Sequence, residues 1–360
     1  MDLNSLIYAK IVYSRIKGLS AESKMLLIFM CRDMSPTQNY SKRLIDMVED
    51  YGFSRTQIVK SKKQLLDLGV IVPNVKTDDK RSRGRQVSSY QIEQQVLDSL
   101  IEKSSVELSS LALSRIRKLI RSKSILAPGY RMLATILVGV SNGVGAVDNV
   151  GVVEIAHWMG CTEKRVQSMV KKLKQMETIK HYIPGVCHHY LGKCKAVYFL
   201  DLQTLGIKRP QGTEILFSEG GSIASLVDVD REYHRNNKPK SDRRTLGRFA
   251  YYVVLEQQLT HSLLRQIDYK LEVLVLGLIN CKKISKETCI EDYRNAITTV
   301  FERLDITNEY QRQLLEFMVK RAIRICHFVL RQQDAITELS LDNIELSYKS
   351  PMERFLVFFD

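Results

Sequence analysis

The run Ser41-Lys42-Arg43-Leu44-Ile45-Asp46-Met47-Val48-Glu49-Asp50, followed by Tyr51-Gly52 and then Phe53-Ser54-Arg55-Thr56-Gln57, decides how this chain is read. The first ten residues carry an amphipathic helical pattern. Tyr51-Gly52 breaks it, and Ser54 is placed to cap a second helix, because its hydroxyl can accept from a free amide of the first turn. From that cap Ile58, Ser61, Leu65 and Leu68 recur at helical spacing and point to a core, while Arg55, Gln57, Lys60, Lys63 and Gln64 point away. Gly69 stops the helix. Val70-Ile71-Val72 reads as a strand, Asp78 to Arg85 as a basic hairpin tip, and Val87 to Ile92 as the returning strand. Helix, tight turn, helix and hairpin in this order predict a winged helix-turn-helix. A polar, basic second helix suits a major groove and a basic tip suits phosphates. The same layout also serves as a scaffold that binds proteins.

Around this stretch, 360 residues give room for two or three domains. Apolar residues at 44% and charged residues at 26% are ordinary for a globular chain. The net charge of +14 is not, and its placement matters more than its size. Residues 1–209 carry a net +15 and residues 210–360 a net −1. A basic front and a near-neutral back suit a polyanion-binding region joined to an assembly region. The seven cysteines sit mostly inside apolar helical patterns, which predicts free thiols in a reducing compartment, the cytoplasm. No signal peptide is expected, and the longest apolar run, Met132 to Val140, is too short to span a bilayer.

The second decisive feature is a repeat. Leu126-Ala127-Pro128-Gly129-Tyr130-Arg131-Met132-Leu133 echoes Leu19-Ser20-Ala21-Glu22-Ser23-Lys24-Met25-Leu26 at an offset of 107. Cys161-Thr162-Glu163-Lys164-Arg165-Val166 echoes Phe53-Ser54-Arg55-Thr56-Gln57-Ile58 at 108, as one loop insertion would make it. In the second copy Val166, Met169, Leu173 and Met176 face inward, and Lys164, Arg165, Ser168, Lys171 and Lys172 outward. Ile179 to Ile183 and Lys195 to Leu202 are its expected wing strands, with Pro184 to Cys194 at the tip.

The pattern therefore predicts a mainly α fold with small β-hairpin wings. A first winged helix-turn-helix domain covers 1–95, a helical basic connector 96–123 and a second winged domain 124–207. A linker with a basic arm follows over 208–245, and a helical domain over 246–360 for self-association or a protein partner. Its expected helices run about 245–280, 286–303 and 308–333, with a short helical tail piece. In the connector, Arg115, Arg117, Lys118, Arg121 and Lys123 either track a phosphate backbone or form a solvated helix face.

The chemistry-bearing clusters are weak by comparison. No glycine loop followed by Lys-Ser or Lys-Thr is present to cradle ATP. His188-His189-Tyr190 lacks the alternate spacing that puts two metal-binding imidazoles on one strand face. His261 and Arg265 are one residue too far apart to serve Tyr348 in a recombinase-type phosphoryl transfer. Cys187, His188, His189 and Cys194, with His181 nearby, hold ligands that tetrahedral zinc accepts. Their spacing is not that of a zinc knuckle, and an ordinary wing tip is the reading preferred. No enzyme activity, cofactor or metal is expected.

Leu19 to Ile71, with Leu-Ser-x-x-Ser-Lys-x-Leu-Leu at its head and Leu-Leu-Asp-Leu-Gly-Val-Ile at its end, resembles the winged-helix modules of plasmid and phage replication initiators. Leu126 to Ile179 resembles them less closely, and regulators of mobile elements use the same module. The resemblance covers about a third of the chain and does not extend to residues 210–360. It implies a protein that binds double-stranded DNA with sequence preference and initiates replication of a plasmid, phage or other mobile element. A transcription regulator is the alternative, and a protein-interaction scaffold the remote one. Base edges are assigned to Arg55, Thr56, Gln57, Lys60, Lys164, Arg165 and Ser168, since Arg and Lys donate to guanine and Gln pairs with adenine. Phosphates are assigned to Lys63, Lys80, Arg81, Arg83, Arg85, Lys171, Lys172, Lys193 and Lys195.

Overall fold

A computed structural model describes residues 3–34, 39–74, 89–100, 108–122, 126–189, 191–209, 211–216, 260–285, 288–304, 307–335, 344–348 and 354–359. They fall into two compact units. The first joins Met1–Asn142, Asn149–Ile179 and Leu200–Lys208; the second joins Gly143–Asp148, Lys180–Phe199 and Arg209–Asp360. This division differs from the five segments expected from the sequence. Residues 143–148 and 180–199, expected inside the second winged domain, belong with the C-terminal unit. Lys123, most of the expected linker with its basic arm, and the start of the helix expected from 245 lie outside the described residues.

One order of elements occurs twice along the chain. First come α1 (Leu3–Tyr13), α2 (Ala21–Asp33), β1 (Asn39–Ser41), α3 (Leu44–Tyr51), α4 (Arg55–Asp67), β2 (Ile71–Pro73) and β3 (Ser89–Ile92). After α5 (Gln94–Leu100) come α6 (Ser110–Arg121), α7 (Pro128–Gly139), β4 (Ala146–Val147), α8 (Val152–Met159), α9 (Glu163–Gln175), β5 (Ile179–Ile183) and β8 (Val197–Leu200). The hairpin β6 (Val186–His188) and β7 (Gly192–Cys194) lies between the last two. Both sheets are three-stranded with the last strand in the middle, β1-β3-β2 and β4-β8-β5. The turns match as well. Gly52 and Gly160, 108 residues apart, both close the third helix of their run with a left-handed backbone, at φ 72° and 64°.

In the first unit α2 packs against α4 of its own copy and against α7, its counterpart in the other. α1 likewise packs against its counterpart α6. The shared core holds Met25, Phe29, Ile58 and Leu65 together with Met132, Ile136, Val166 and Leu173. Lys24 and Arg131, at equivalent positions 107 residues apart, are buried in it. The Lys24 ammonium donates to the carbonyls of Ser14 (2.7 Å) and Trp158, and the Arg131 guanidinium to those of Leu119 (2.7 Å), Ile120 and Ser122. Each thereby satisfies carbonyls at the end of the helix preceding its own, where the backbone dipole favours positive charge. Burial still draws Lys24 down to about 7 and Arg131 down to about 10. The basic stretch expected as a connector is thus partly core. Arg115 is buried and donates to Asn142 O (2.6 Å), while Ala112, Leu113, Ile116, Leu119 and Ile120 fill the inner face of α6.

The end of α2 carries an acid-centred cluster. Asp33 accepts from Arg32 (2.6 Å), Lys42 (3.0 Å) and the Tyr51 hydroxyl (2.6 Å), and Tyr51 in turn meets Tyr40 at 3.0 Å. Burial pushes the Asp33 carboxyl up, but these donors outweigh it and hold the group down at about 2. A depressed carboxyl stabilises the fold above its unfolded value and loses that contribution as pH falls through the folded one. Asp33 should therefore add stability that is complete above about pH 5 and lost toward pH 2. Solvent screening limits this to about 1–2 kcal/mol. Urea unfolding of Asp33→Asn should show a flatter acid limb than the parent, and superimposable limbs would remove Asp33 from the acid dependence.

The second unit is mixed, which corrects the expectation of a helical C-terminal domain. Within the expected helical segments stand α10 (His261–Asn280), α11 (Ile290–Val300) and α12 (Glu309–Ala335). The expected helical tail piece is instead a pair of strands, β10 (Ile344–Tyr348) and β11 (Arg354–Phe359), joined by β9 (Gly212–Leu216) in the order β10-β11-β9. Arg354-Phe355-Leu356-Val357-Phe358-Phe359 has the aromatic and β-branched content of a strand. The core gathers Ile267, Leu271, Met318, Ile325, Leu356 and Phe358, together with Ile183, Val197 and Phe199. A polar network crosses it. Glu272 accepts from Arg321, from Arg354 and from the Tyr348 hydroxyl (2.6 Å).

Candidate nucleic-acid interface

α4 and α9 are each thirteen residues long, and each starts from a hydroxyl cap two residues beyond its left-handed glycine. Ser54 Oγ accepts from Gln57 N (3.2 Å) and Thr162 Oγ1 from Arg165 N (3.3 Å). The inward faces are apolar: Ile58 and Leu65 in α4, and Val166, Met169, Val170 and Leu173 in α9. The outward faces are basic. Arg55, Thr56, Lys60 and Lys63 are exposed on α4, as are Lys164, Arg165, Ser168, Lys171 and Lys172 on α9. Lys174 extends the second face beyond the contacts assigned from the sequence.

Several polar side chains of these helices, Gln57, Gln64 and Arg165 among them, have partners within the protein. Gln57 is half-buried, and its Oε1 accepts from Ser54 N (2.9 Å), completing a capping box with the serine. That oxygen is the atom a bidentate contact with adenine needs. Gln64, expected to face outward, accepts from the Ser20 hydroxyl (3.0 Å) and from Ser23. Arg165 is ion-paired with Glu22. Ser20, Glu22 and Ser23 cap or form the first turn of α2, so this one turn receives a side chain from both α4 and α9. The α8–α9 turn meets the same region, since a Cβ on Gly160 would lie 2.5 Å from the Leu19 carbonyl oxygen. The two helix-turn-helix segments are thus held to one anchor. Sequence reasoning missed Glu22 and Gln64, because nothing local in either stretch announces a contact across forty or more residues.

Of the expected wing residues, Lys80, Arg81, Arg83 and Arg85 lie outside the described residues. Lys62 stands over the Tyr90 ring at 4.5 Å. In the second unit Lys193 and Lys195 are exposed and line a cleft of about 420 Å³ with Lys270, Gln266, Tyr269 and Asp148. Tyr269 donates to Asp148 at 2.8 Å, and Gln266 donates to the carbonyls of Pro184 and Lys195.

His181 is buried against the rings of Phe199 and Tyr348, which also meet each other at 4.6 Å. The His188 and His189 rings stand 4.1 Å apart, and burial, with His189 beside it, pulls His188 down. Cys187 is exposed and Cys194 buried. Among the described residues no group of three or more His, Cys, Asp or Glu side chains is placed to hold a metal ion. Tyr348 is buried, and burial beside Glu272 raises its hydroxyl well above the ordinary range. Among the described residues no helix is long and apolar enough to cross a membrane. No family model, curated protein or solved structure matches the chain, so its functional reading rests on the residues themselves.

Proposed function

We propose that the chain binds double-stranded DNA with sequence preference through two tandem winged-helix modules. Its leading biological role in this reading is replication initiator of a plasmid, phage or other mobile element. The observation that carries the DNA reading is the duplicated element order, in which the second helix of each helix-turn-helix exposes a basic face. Two such helices held to one anchor suit two successive contacts on a single duplex. Base edges fall to Arg55, Thr56, Lys60, Lys164 and Ser168, and phosphates to Lys63, Lys171, Lys172 and Lys174. Gln57 is better used as a cap. Arg165 reaches a base only by leaving Glu22. The tandem arrangement and the resemblance of Leu19 to Ile71 support the initiator role. The reading assigns no reaction to the protein, and it gives residues 246–360 to self-association or a protein partner.

Arg55→Ala and Lys164→Ala should each cost about 1–3 kcal/mol on the preferred duplex and little on random DNA. Lys172→Ala should weaken both alike. A duplex selected by the full-length chain from a random pool supplies the specific site, and anisotropy titrations supply the affinities. Equal losses on both duplexes for all three variants would overturn the assignment of the grooves.

A further inference from the structure

Val59 is 59% exposed, the most exposed of the large apolar side chains on this protein's described surface. It lies in the middle of α4's outward face, four residues after Arg55 and four before Lys63, with Thr56 and Lys60 beside it. A helix surface that is otherwise polar and cationic gains nothing in water from such a side chain. In a major groove it has one natural counterpart, the C5 methyl group of thymine, which apolar side chains contact directly.

The repeat sharpens the point. The equivalent of Val59, at the 108-residue offset, is Gln167, also exposed and in the middle of the outward face of α9. Gln57 is drawn into the capping box of α4, whereas Gln167 stands a full turn beyond the Thr162 cap and takes no role in it. A glutamine there can pair with the N6 and N7 edge of adenine. The positions flanking this pair have diverged in the same sense, with Arg55 matched by Glu163 and Lys60 by Ser168.

We infer that Val59 and Gln167 are specificity-determining residues that make the two helices read different base pairs, a thymine methyl by α4 and an adenine edge by α9. The target is then two unlike elements in a row rather than one element repeated or inverted. The inference rests on the DNA-binding reading proposed above.

The test uses the full-length chain and the duplex it selects from a random pool. Each thymine is replaced singly by uracil, which removes only the methyl group, and each adenine by 7-deazaadenine, which removes only the N7 acceptor. Wild-type protein should lose roughly fourfold in affinity at one uracil position, about the worth of one buried methyl. It should lose roughly tenfold at one deazaadenine position. Val59→Ala should bind the unmodified duplex as the wild type binds the uracil duplex and show no further loss at that position. Gln167→Ala should behave likewise toward deazaadenine. Val59→Thr, which keeps one methyl, should retain some of the uracil response and guards against a misfolded alanine variant. A consensus duplex on which wild type and Val59→Ala respond equally to every uracil, or Gln167→Ala still senses every deazaadenine, overturns this inference alone. A pool that yields no consensus overturns the DNA-binding reading and this inference with it.

Discussion

Affinity for the preferred duplex should fall by roughly 10³–10⁵ between 50 and 200 mM salt, if the chain neutralises about 6–10 phosphates. The expectation follows from the net +15 of residues 1–209 against −1 for the remainder. Lys63, Lys171, Lys172 and Lys174 are exposed on the two second helices, and Lys193 and Lys195 on the second-copy hairpin and just after it. Each cation that displaces a condensed counterion adds about 0.9 to the slope of log affinity against log salt. Removing Lys171 and Lys172 together should therefore reduce that slope by about two. A titration series in potassium chloride checks both numbers. A nearly flat response would reject polyanion binding by this chain altogether.

The second large effect concerns the C-terminal unit. Glu272→Leu should destabilise it by about 3–5 kcal/mol. The carboxylate is the shared acceptor of Arg321, Arg354 and Tyr348, and Arg321 also faces Asp268 at 3.7 Å. Arg321 and Glu272 are both buried, so deleting the acid leaves cationic groups in a medium that solvates them poorly. The loss measures the orphaned charge rather than the worth of the network. Replacing Glu272, Arg321 and Arg354 together with apolar residues of similar volume should recover most of it. Hydrogen exchange along α10, read beside urea melts, separates the two cases. A single variant as stable as the parent would show the network to be dispensable.

Local chemistry explains which features could be read from residues alone. Ser20, Ser54 and Thr162 cap the helices that their positions predict. A cap acts within four residues, so its signal is complete in a short window. The repeat is legible for the same reason, since matching turns need matching glycines and matching faces need matching periods. What escapes a short window is decided by distant partners. Nothing beside Lys24 or Arg131 in the sequence announces the distant helix ends that each satisfies. Gln57 and Gln64 have the composition of groove-facing residues, yet a backbone amide and a serine pair claim them. The tail strands are hidden behind long helices, whose period invites extension through Ile344 to Phe359 although the strands pair with residues 212–216, far back in the chain. In the candidate site the outward faces are legible in outline. Val59 and Gln167 are easily passed over there, because neither carries the charge that marks a polyanion-binding helix.

The pairing of α2 with α7 and of α1 with α6 sets each element against its own counterpart. Contacts of that kind, where one surface patch meets its own equivalent, are how two identical subunits join about a two-fold axis. Lys24 reaching Trp158 O and Arg131 covering the Phe29 ring at 4.7 Å also cross from one copy to the other. The first unit thus pairs the opening helices of its two copies as a symmetric dimer pairs its subunits, with both copies on one chain. Fusion replaces an encounter between two molecules by a tethered one, at an effective concentration set by the linker rather than by supply. A fused pair is complete at any abundance, and its halves, freed from identity, can drift apart in what they recognise.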